Sequence, residues 1–451
     1  MARKLVIIGG DAAGMSAAAQ ARRLASADEL EIVAFERGAR TSYAACGLPY
    51  LIGGLVETPD RLVARTPEQH RANGIDIRIR HEVTAIDTKA SMVTVRDLDK
   101  GLDAVEHFDE LLIATGATGI APQWPGIAAE GVLQLRTLDD AAQVERRLDA
   151  GARRAVVVGA GYIGLEVAEG LLARGLAVTV IERLDAPMGA VLDTDMAAAV
   201  AEAMRAASVD LRLGIAVTGF SVIDGHVTAV QTAAGSVAAD LVVIGLGVRA
   251  NVDLARAAGV KVGEAGGIIV DDHLRTGTPH VWAAGDCVES RHRITGHSVV
   301  VALGTHANKQ GRAAGTNIAG GDARFGGVLG TAITKFQNLE IGRTGLTERE
   351  AAAAGLDAVG VTTEAPNRAH YYPGAQAMHI KIVAERRTGR LLGAQIVGGA
   401  GAGKRIDVLA TALWNGMTVN EIGGMDLSYA PPFSPVWDPV LLAAGKAALK
   451  T

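Results

Sequence analysis

Three features of this sequence could carry chemistry: one cysteine, two glycine-rich turns and two aromatic–proline clusters. Cys46 lies in the run Thr41-Ser42-Tyr43-Ala44-Ala45-Cys46-Gly47-Leu48-Pro49-Tyr50, ten residues after Glu36. A thiol just past a strand end sits where open α/β sheets bind ligands. A helix N-terminus beside it would favour the thiolate, the form that attacks a disulfide. A redox pair spaced Cys-x4-Cys would need a cysteine where the chain has Leu51. Thiol chemistry is therefore expected to run on a single sulfur. The second cysteine, Cys287, follows Gly285-Asp286 without any partner spacing and is expected to be a buried core residue.

The turn Gly159-Ala160-Gly161-Tyr162-Ile163-Gly164 follows an apolar run (155–158) and precedes a helical stretch (165–174). Its glycines suit a tight turn, backbone approach to a pyrophosphate, and close helix–strand packing. The next strand (177–181) ends in Glu182, which suits a ribose 2′-hydroxyl and repels a 2′-phosphate, favouring NADH. Arg183 could pair with that phosphate and leaves NADPH possible. The same order occurs earlier: a strand (5–8), Gly9-Gly10-Asp11-Ala12-Ala13-Gly14, a helix (15–24), a strand (30–35), then Glu36 and Arg37. Asp11 replaces the middle glycine, and Asp adopts unusual backbone angles more readily than most residues. Ala114-Thr115-Gly116 and Gly285-Asp286 each end an apolar strand, and Asp286 could bond a ribityl or ribose hydroxyl. Two dinucleotide sites in one chain imply a flavin and a nicotinamide, since hydride passes between those two.

The elements needed to hold these residues read as an α/β fold. Two Rossmann-like units are expected, each followed by short antiparallel strands: 83–86 and 92–95 in the first, 211–213, 221–223 and 226–230 in the second. From about Phe325, strands (340–343, 378–384, 391–397) alternate with helices (348–354, 404–415), an α+β domain of another kind. The expected division is 1–116 with 247–322 for FAD, 117–246 for NAD(P)H, and 325–451 for dimerisation. The chain has 451 residues, 49% hydrophobic, and a net charge of −5. Without a basic tract it is not expected to bind nucleic acid. No apolar stretch reaches the ~18 residues of a membrane span. The N-terminus runs directly into a strand, so the cytoplasm is the expected compartment. The aromatic–proline clusters are His370-Tyr371-Tyr372-Pro373-Gly374 and Tyr429 to Trp437, rigid loops suited to an interface or a lid.

Taken together, these motifs resemble the flavoprotein pyridine nucleotide-disulfide oxidoreductases over essentially the full length. The likeness is greatest to their single-cysteine branch of coenzyme A-disulfide reductases, NADH oxidases and NADH peroxidases. It implies FAD bound through Gly9, Asp11, Ala12, Gly14, Glu36, Arg37, Ser42, Ala114, Thr115, Gly116, Gly285, Asp286 and Phe433. It implies NAD(P)H bound through Gly159, Gly161, Tyr162, Ile163, Gly164, Glu182, Arg183 and Gly247. Cys46 would face the flavin, and Tyr371 or Tyr372, with Tyr429, would come from the partner subunit of a homodimer to assist the thiol. Branch oxidases and peroxidases carry a histidine where this chain has Ala12, which favours the disulfide reductases, as do Cys46 to Tyr50 and Tyr429 to Pro432. Coenzyme A contacts would match Gln20, Arg23, Ser42, Asn308 and Trp437. The family asparagine before the cysteine is Ala45 here, and a family lysine is Gly74. The implied activity is NAD(P)H-dependent reduction of coenzyme A disulfide or a related disulfide or persulfide. The alternatives are an NADH oxidase or peroxidase working through a cysteine sulfenic acid, and a flavin electron carrier to a ferredoxin-like protein.

Overall fold

The computed structural model describes residues 2–451. The chain divides into two compact units. Of the described residues, the first combines 2–47, 57–120 and 248–328; the second combines 48–56, 121–247 and 329–451.

In the first unit, five parallel strands form a sheet in the order Val281–Ala283, Glu110–Ile113, Arg3–Ile8, Leu30–Glu36, Asp76–Ile79. Strand side chains alternate between faces, and both faces are buried here. Leu5, Ile7, Ile32 and Ala34 join one core with the helices Ala12–Leu24 and Gly304–Ile318. Val6, Ile8, Val33 and Phe35 join the other. A parallel sheet covered on both sides explains why these strands read as continuous apolar runs. The sequence reverses direction across the sheet at Arg3–Ile8, the switch point where such folds bind ligands. The antiparallel sheet His81–Asp87, Met92–Asp97, Leu102–His107 completes the unit's strand inventory beside a short hairpin and a two-strand ladder.

The second unit repeats the parallel sheet: Asp210–Arg212, Ala177–Ile181, Arg154–Val158, Leu241–Ile244, Val132–Gln134. Asp210–Arg212 differs from expectation. It pairs parallel with Ala177–Ile181 rather than joining the antiparallel strands, because the helix Thr194–Ala206 returns the chain to the edge of the parent sheet as a βαβ crossover. The antiparallel sheet is Val217–Ile223, His226–Thr232, Gly235–Ala238. The C-terminal sheet is fully antiparallel, in the order Ala332–Phe336, Leu339–Gly345, Leu391–Gly398, Ala377–Glu385, Ala358–Pro366. The helix Ala402–Trp414 packs on it.

Candidate active site

The first glycine turn is shaped by close backbone contacts. Gly9 has φ of +112°, and a Cβ there would lie 2.1 Å from the Ala114 carbonyl oxygen. A Cβ on Gly14 would lie 2.0 Å from Gly9 O. Asp11 has φ −121° and ψ −149°, outside both the helical and the extended regions, in keeping with a residue type that tolerates unusual backbone angles. Its side chain does not cap the helix, which starts at Ala12, so the first-turn N–H groups keep their capacity to bind an anion. Glu36 turns back on the turn it serves, accepting from Gly10 N at 2.8 Å and Gly38 N at 2.7 Å. Its remaining lone pairs suit a ribose hydroxyl. Arg37 is exposed. Thr115 is locked to Asn251 by two bonds, Thr115 Oγ1 donating to Asn251 O at 2.7 Å and Asn251 Nδ2 donating to Thr115 O at 2.8 Å. A Cβ on Gly116 would meet nothing within 4 Å. Gly285 N donates to the buried Gln310 side chain at 2.8 Å, and Asp286 beside it is half-buried. Open helix N–H groups, a strand-end acid and bare glycine backbone make a donor set that fits the pyrophosphate and ribose of a flavin dinucleotide.

The second turn reproduces this geometry. A Cβ on Gly159 would lie 2.5 Å from Gly245 O, and one on Gly164 would lie 2.0 Å from Gly159 O. At Gly161 a Cβ would meet nothing within 4 Å, so that backbone is open to a ligand. Glu182 accepts from Ala160 N and Leu184 N, each at 2.8 Å. This is the bond pattern of Glu36 in a second copy. Arg183 is exposed and Ile163 half-buried. Gly247, φ +88°, turns the chain out of the strand Leu241–Ile244. Tyr162 opens the helix Tyr162–Ala173, and burial, with Glu350 and Glu166 against Arg343, pushes its phenol up to about 12. It is therefore neutral across the working pH range.

Between Glu36 and Cys46 the chain folds back on the first turn. Thr41 Oγ1 donates to Gly10 O, and Ser42, in the left-handed region at φ +52°, accepts from Ala64 N at 2.8 Å through its carbonyl. Ala44 N donates to Leu62 O at 2.8 Å. Cys46 then sits exposed in the single 3-10 turn Ala45–Gly47, which runs directly into the helix Leu48–Ile52. Cys287 contrasts with it. It is fully buried, its Sγ donates to Ala284 O at 3.3 Å, and burial pushes its thiol up. The core role expected of Cys287 is what the structure shows, and Cys46 alone offers an accessible sulfur.

In the second unit, the Tyr371 hydroxyl near Tyr429, ahead of burial, holds the Tyr429 phenol above its usual range. Tyr371, Tyr372, Phe433 and Trp437 are all exposed, Phe433 at 77%. Such large aromatics left open to solvent mark a surface for another molecule. Arg405 holds the loop beneath them, donating to Phe433 O at 2.7 Å and to Asp438 Oδ2 at 3.0 Å.

A family model described as pyridine nucleotide-disulphide oxidoreductase matches residues 3–311, and the dimerisation domain of that family matches 331–439. The chain belongs to the pyridine nucleotide-disulphide oxidoreductases. It is 40% identical over 449 residues to an NAD(P)H coenzyme A polysulfide/persulfide reductase of Pyrococcus horikoshii, covering 98% of each chain. It is 32% identical to a coenzyme A disulfide reductase of Staphylococcus aureus, covering 98% of this chain and 99% of that one. Among solved structures it superposes on an NAD-dependent persulfide reductase from A. fulgidus with a TM-score of 0.96 and 39% identity, covering 99% of this chain and 83% of that one.

In this oxidoreductase three of the residues expected to hold a thiol substrate, Gln20, Arg23 and Asn308, lie on two packed helices of the first unit, whereas Ser42 lies in the segment before Cys46 and Trp437 in the second unit. Gln20 Nε2 donates to Thr316 Oγ1 at 3.2 Å, and Arg23, exposed, reaches Gln20 Oε1 at 3.4 Å. Asn308 Oδ1 accepts from Ser16 Oγ at 2.6 Å. Ser16 is a candidate that sequence reasoning missed. A signal was present: Ser16, Gln20 and Arg23 lie at i, i+4 and i+7 on one helix face. Among the described residues, no helix is long and apolar enough to cross a membrane.

Proposed function

We propose that this protein is an FAD-dependent NAD(P)H oxidoreductase that reduces coenzyme A disulfide, or a related low-molecular-weight disulfide or persulfide, through Cys46. The observation that carries this reading is one exposed thiol in a turn tied to a dinucleotide-binding glycine turn, with the other cysteine sealed in the core. The names of the relatives support coenzyme A as the thiol. The division into FAD, NAD(P)H and dimerisation segments follows the sequence boundaries. The pair of FAD and NADH, when bound, would supply two electrons per turnover. The Cys46 thiolate attacks one sulfur of the disulfide; a Cys46–coenzyme A disulfide forms and one coenzyme A thiolate leaves, taking a proton. Two electrons and a second proton then cleave that mixed disulfide, restoring the Cys46 thiolate and freeing the second thiol. The Tyr371–Tyr429 pair, contributed by the second copy of a homodimer, donates the proton to the departing thiolate. Ser16, Gln20, Arg23, Ser42 and Asn308 hold the coenzyme, the Arg23 guanidinium suiting its phosphates. Glu182 favours NADH. Two cysteines, neither in a disulfide, fit a reducing compartment, the cytoplasm.

Cys46→Ser tests the reading. The variant is expected to bind FAD and to lose disulfide turnover. Full NADH–disulfide activity in the variant would overturn the assignment. Intact mass under denaturing, non-reducing conditions names the substrate: a dithiothreitol-removable adduct of coenzyme A mass is expected on Cys46. Water formed from oxygen, with no thiol released, would favour the oxidase chemistry.

A further inference from the structure

Arg405 touches more than the loop that carries Phe433. Its side chain, in the first turns of the helix Ala402–Trp414, is only 13% exposed. Nη2 donates to Asn367 O at 2.9 Å and to Phe433 O at 2.7 Å, which uses both of its hydrogens. Nε donates to Asp438 Oδ2 at 3.0 Å, and Nη1 lies 3.4 Å from Gly401 O. The two carbonyls held by Nη2 belong to different aromatic–proline loops. Asn367 opens the loop that carries Tyr371, and Phe433 lies in the loop that begins at Tyr429. An arginine kept only to neutralise Asp438 would need neither carbonyl.

Each loop is fixed at its own base. Asn367 N donates to Gln376 O and Gln376 N donates to Asn367 Oδ1, each at 2.9 Å, which closes the loop of residues 368–375. Asn367 is 1% exposed, and its Nδ2 donates to Ala400 O at 2.9 Å. In the second loop, Phe433 N and Ser434 N both donate to Ala430 O. Ser434 Oγ shares Asp438 Oδ2 with Arg405, while Asp438 Oδ1 accepts from Val440 N and caps the helix Pro439–Ala448. Two stiff loops then meet across the Nη2 bridge and a 3.2 Å bond from Ala369 N to Pro431 O. Their tips bring the Tyr371 hydroxyl near Tyr429. A planar guanidinium can reach an acid and two carbonyls at once, which the point charge of a lysine cannot reproduce.

We propose that Arg405 is a positioning residue for the Tyr371–Tyr429 pair: by giving one N–H of Nη2 to each loop, it sets the separation of the loops and so of the two hydroxyls. Tyr371 lies four residues after Asn367, and Tyr429 four before Phe433, so a slip at either carbonyl reaches the pair through a short, stiff segment. The effect on disulfide reduction rests on the reading that this pair serves the departing thiolate. The effect on the pair itself does not.

The test separates geometry from charge. Arg405→Lys keeps a positive charge for Asp438 and loses the fork. Arg405→Met combined with Asp438→Asn removes both charges together, so no buried carboxylate is left unpaired. Asp438→Asn alone leaves both Nη2 bonds in place. The first readout is the fluorine resonance of meta-fluorotyrosine placed at position 429, which Tyr371→Phe is expected to move. Arg405→Lys and the double variant are expected to move it as Tyr371→Phe does, and Asp438→Asn is expected to leave it near the wild-type position. The second readout is kcat and KM for coenzyme A disulfide with NADH. Loss of one net hydrogen bond predicts a kcat lowered about three- to tenfold in Arg405→Lys and the double variant, with KM changed less. In a Tyr371→Phe, Tyr429→Phe background the same substitutions are expected to add almost nothing. A wild-type resonance and kcat in Arg405→Lys would reduce Arg405 to a counter-charge. An equal loss of kcat with and without the two tyrosines would reduce it to a packing residue. If the double variant does not fold, Arg405→Lys decides by the same two criteria. Should the wild type release no thiol from coenzyme A disulfide while the resonance still follows Arg405, the proposed reaction falls and the positioning role stands. Turnover with a resonance indifferent to Arg405 gives the reverse.

Discussion

The two sulfurs of this chain differ by environment alone. Cys46 is exposed in a one-turn 3-10 segment, whereas Cys287 is fully buried in a core beneath the first sheet, just past the end of the strand Val281–Ala283, where desolvation disfavours its thiolate. Titration of the native protein with a thiol reagent, after reduction, is therefore expected to count one reactive thiol per chain. Denaturation should expose both cysteines. Two fast thiols in the native state would contradict the buried placement of Cys287. This contrast was legible in the sequence, because a cysteine followed by helix-starting residues and one at the end of an apolar strand have different expected surroundings. Ser16 was legible only through its spacing with Gln20 and Arg23 on one helix face, and His70 not at all. Their partners, Asn308 and Ser42, lie 292 and 28 positions away. Serine inside a helix and histidine on a short one carry no motif, and their pairing exists only after the fold has brought the elements together.

At the level of elements, the glycine turns were readable because sterics leave few choices. The helix pair that seats the proposed substrate residues was not, because its determinant is smallness spread over two distant segments. A Cβ on Gly311 would lie 2.2 Å from Ala13 O, and one on Gly315 would lie 2.3 Å from Ala17 O. The helices Ala12–Leu24 and Gly304–Ile318 therefore touch backbone to backbone. Gly311→Ala must push them apart, at a cost of about 1–3 kcal/mol. The expected outcome is a lower Tm and weaker retention of flavin, since the first glycine turn opens directly into one of these helices. An unchanged Tm would mean the helices can separate freely. A second joint is electrostatic. Asp240, just before the strand Leu241–Ile244, pairs with Arg154 and accepts from the N–H groups of Arg153 and Arg154 at the start of the neighbouring strand, which lowers its pKa to about 2. The folded-state value lies below the ordinary 3.8, so this stabilisation is complete above that value and is lost as pH falls through about 2. Asp240→Asn is expected to be less stable than the wild type near neutrality, with the gap closing between about pH 4 and pH 2 in acid unfolding curves. The parallel placement of Asp210–Arg212 escaped the sequence reading for a related reason. A three-residue strand has no periodicity of its own, and the crossover helix before it decides which sheet it joins.

For the molecule as a whole, the exposed aromatics of the C-terminal segment make a monomer an unfinished object. Tyr371 and Phe433 are 66% and 77% exposed, on loops that proline and Arg405 hold in place. Rigid, solvent-facing aromatic side chains suit the core of a protein interface. The match to the family's dimerisation domain, over 331–439, spans these loops. If the Tyr371–Tyr429 pair serves the Cys46 of the other copy, the two halves of the machinery can be broken on separate chains and recombined. A Cys46→Ser chain and a Tyr371→Phe, Tyr429→Phe chain would each form homodimers deficient in disulfide reduction. Mixed after reversible dissociation, half of the dimers would be heterodimers, each with one intact site, so activity should return to about a quarter of the wild-type value. Sites built within one chain give a different result: the mixture would show only the average of the two parents. Recovery above that average, dependent on dissociating the dimers first, is the outcome that a shared active site requires.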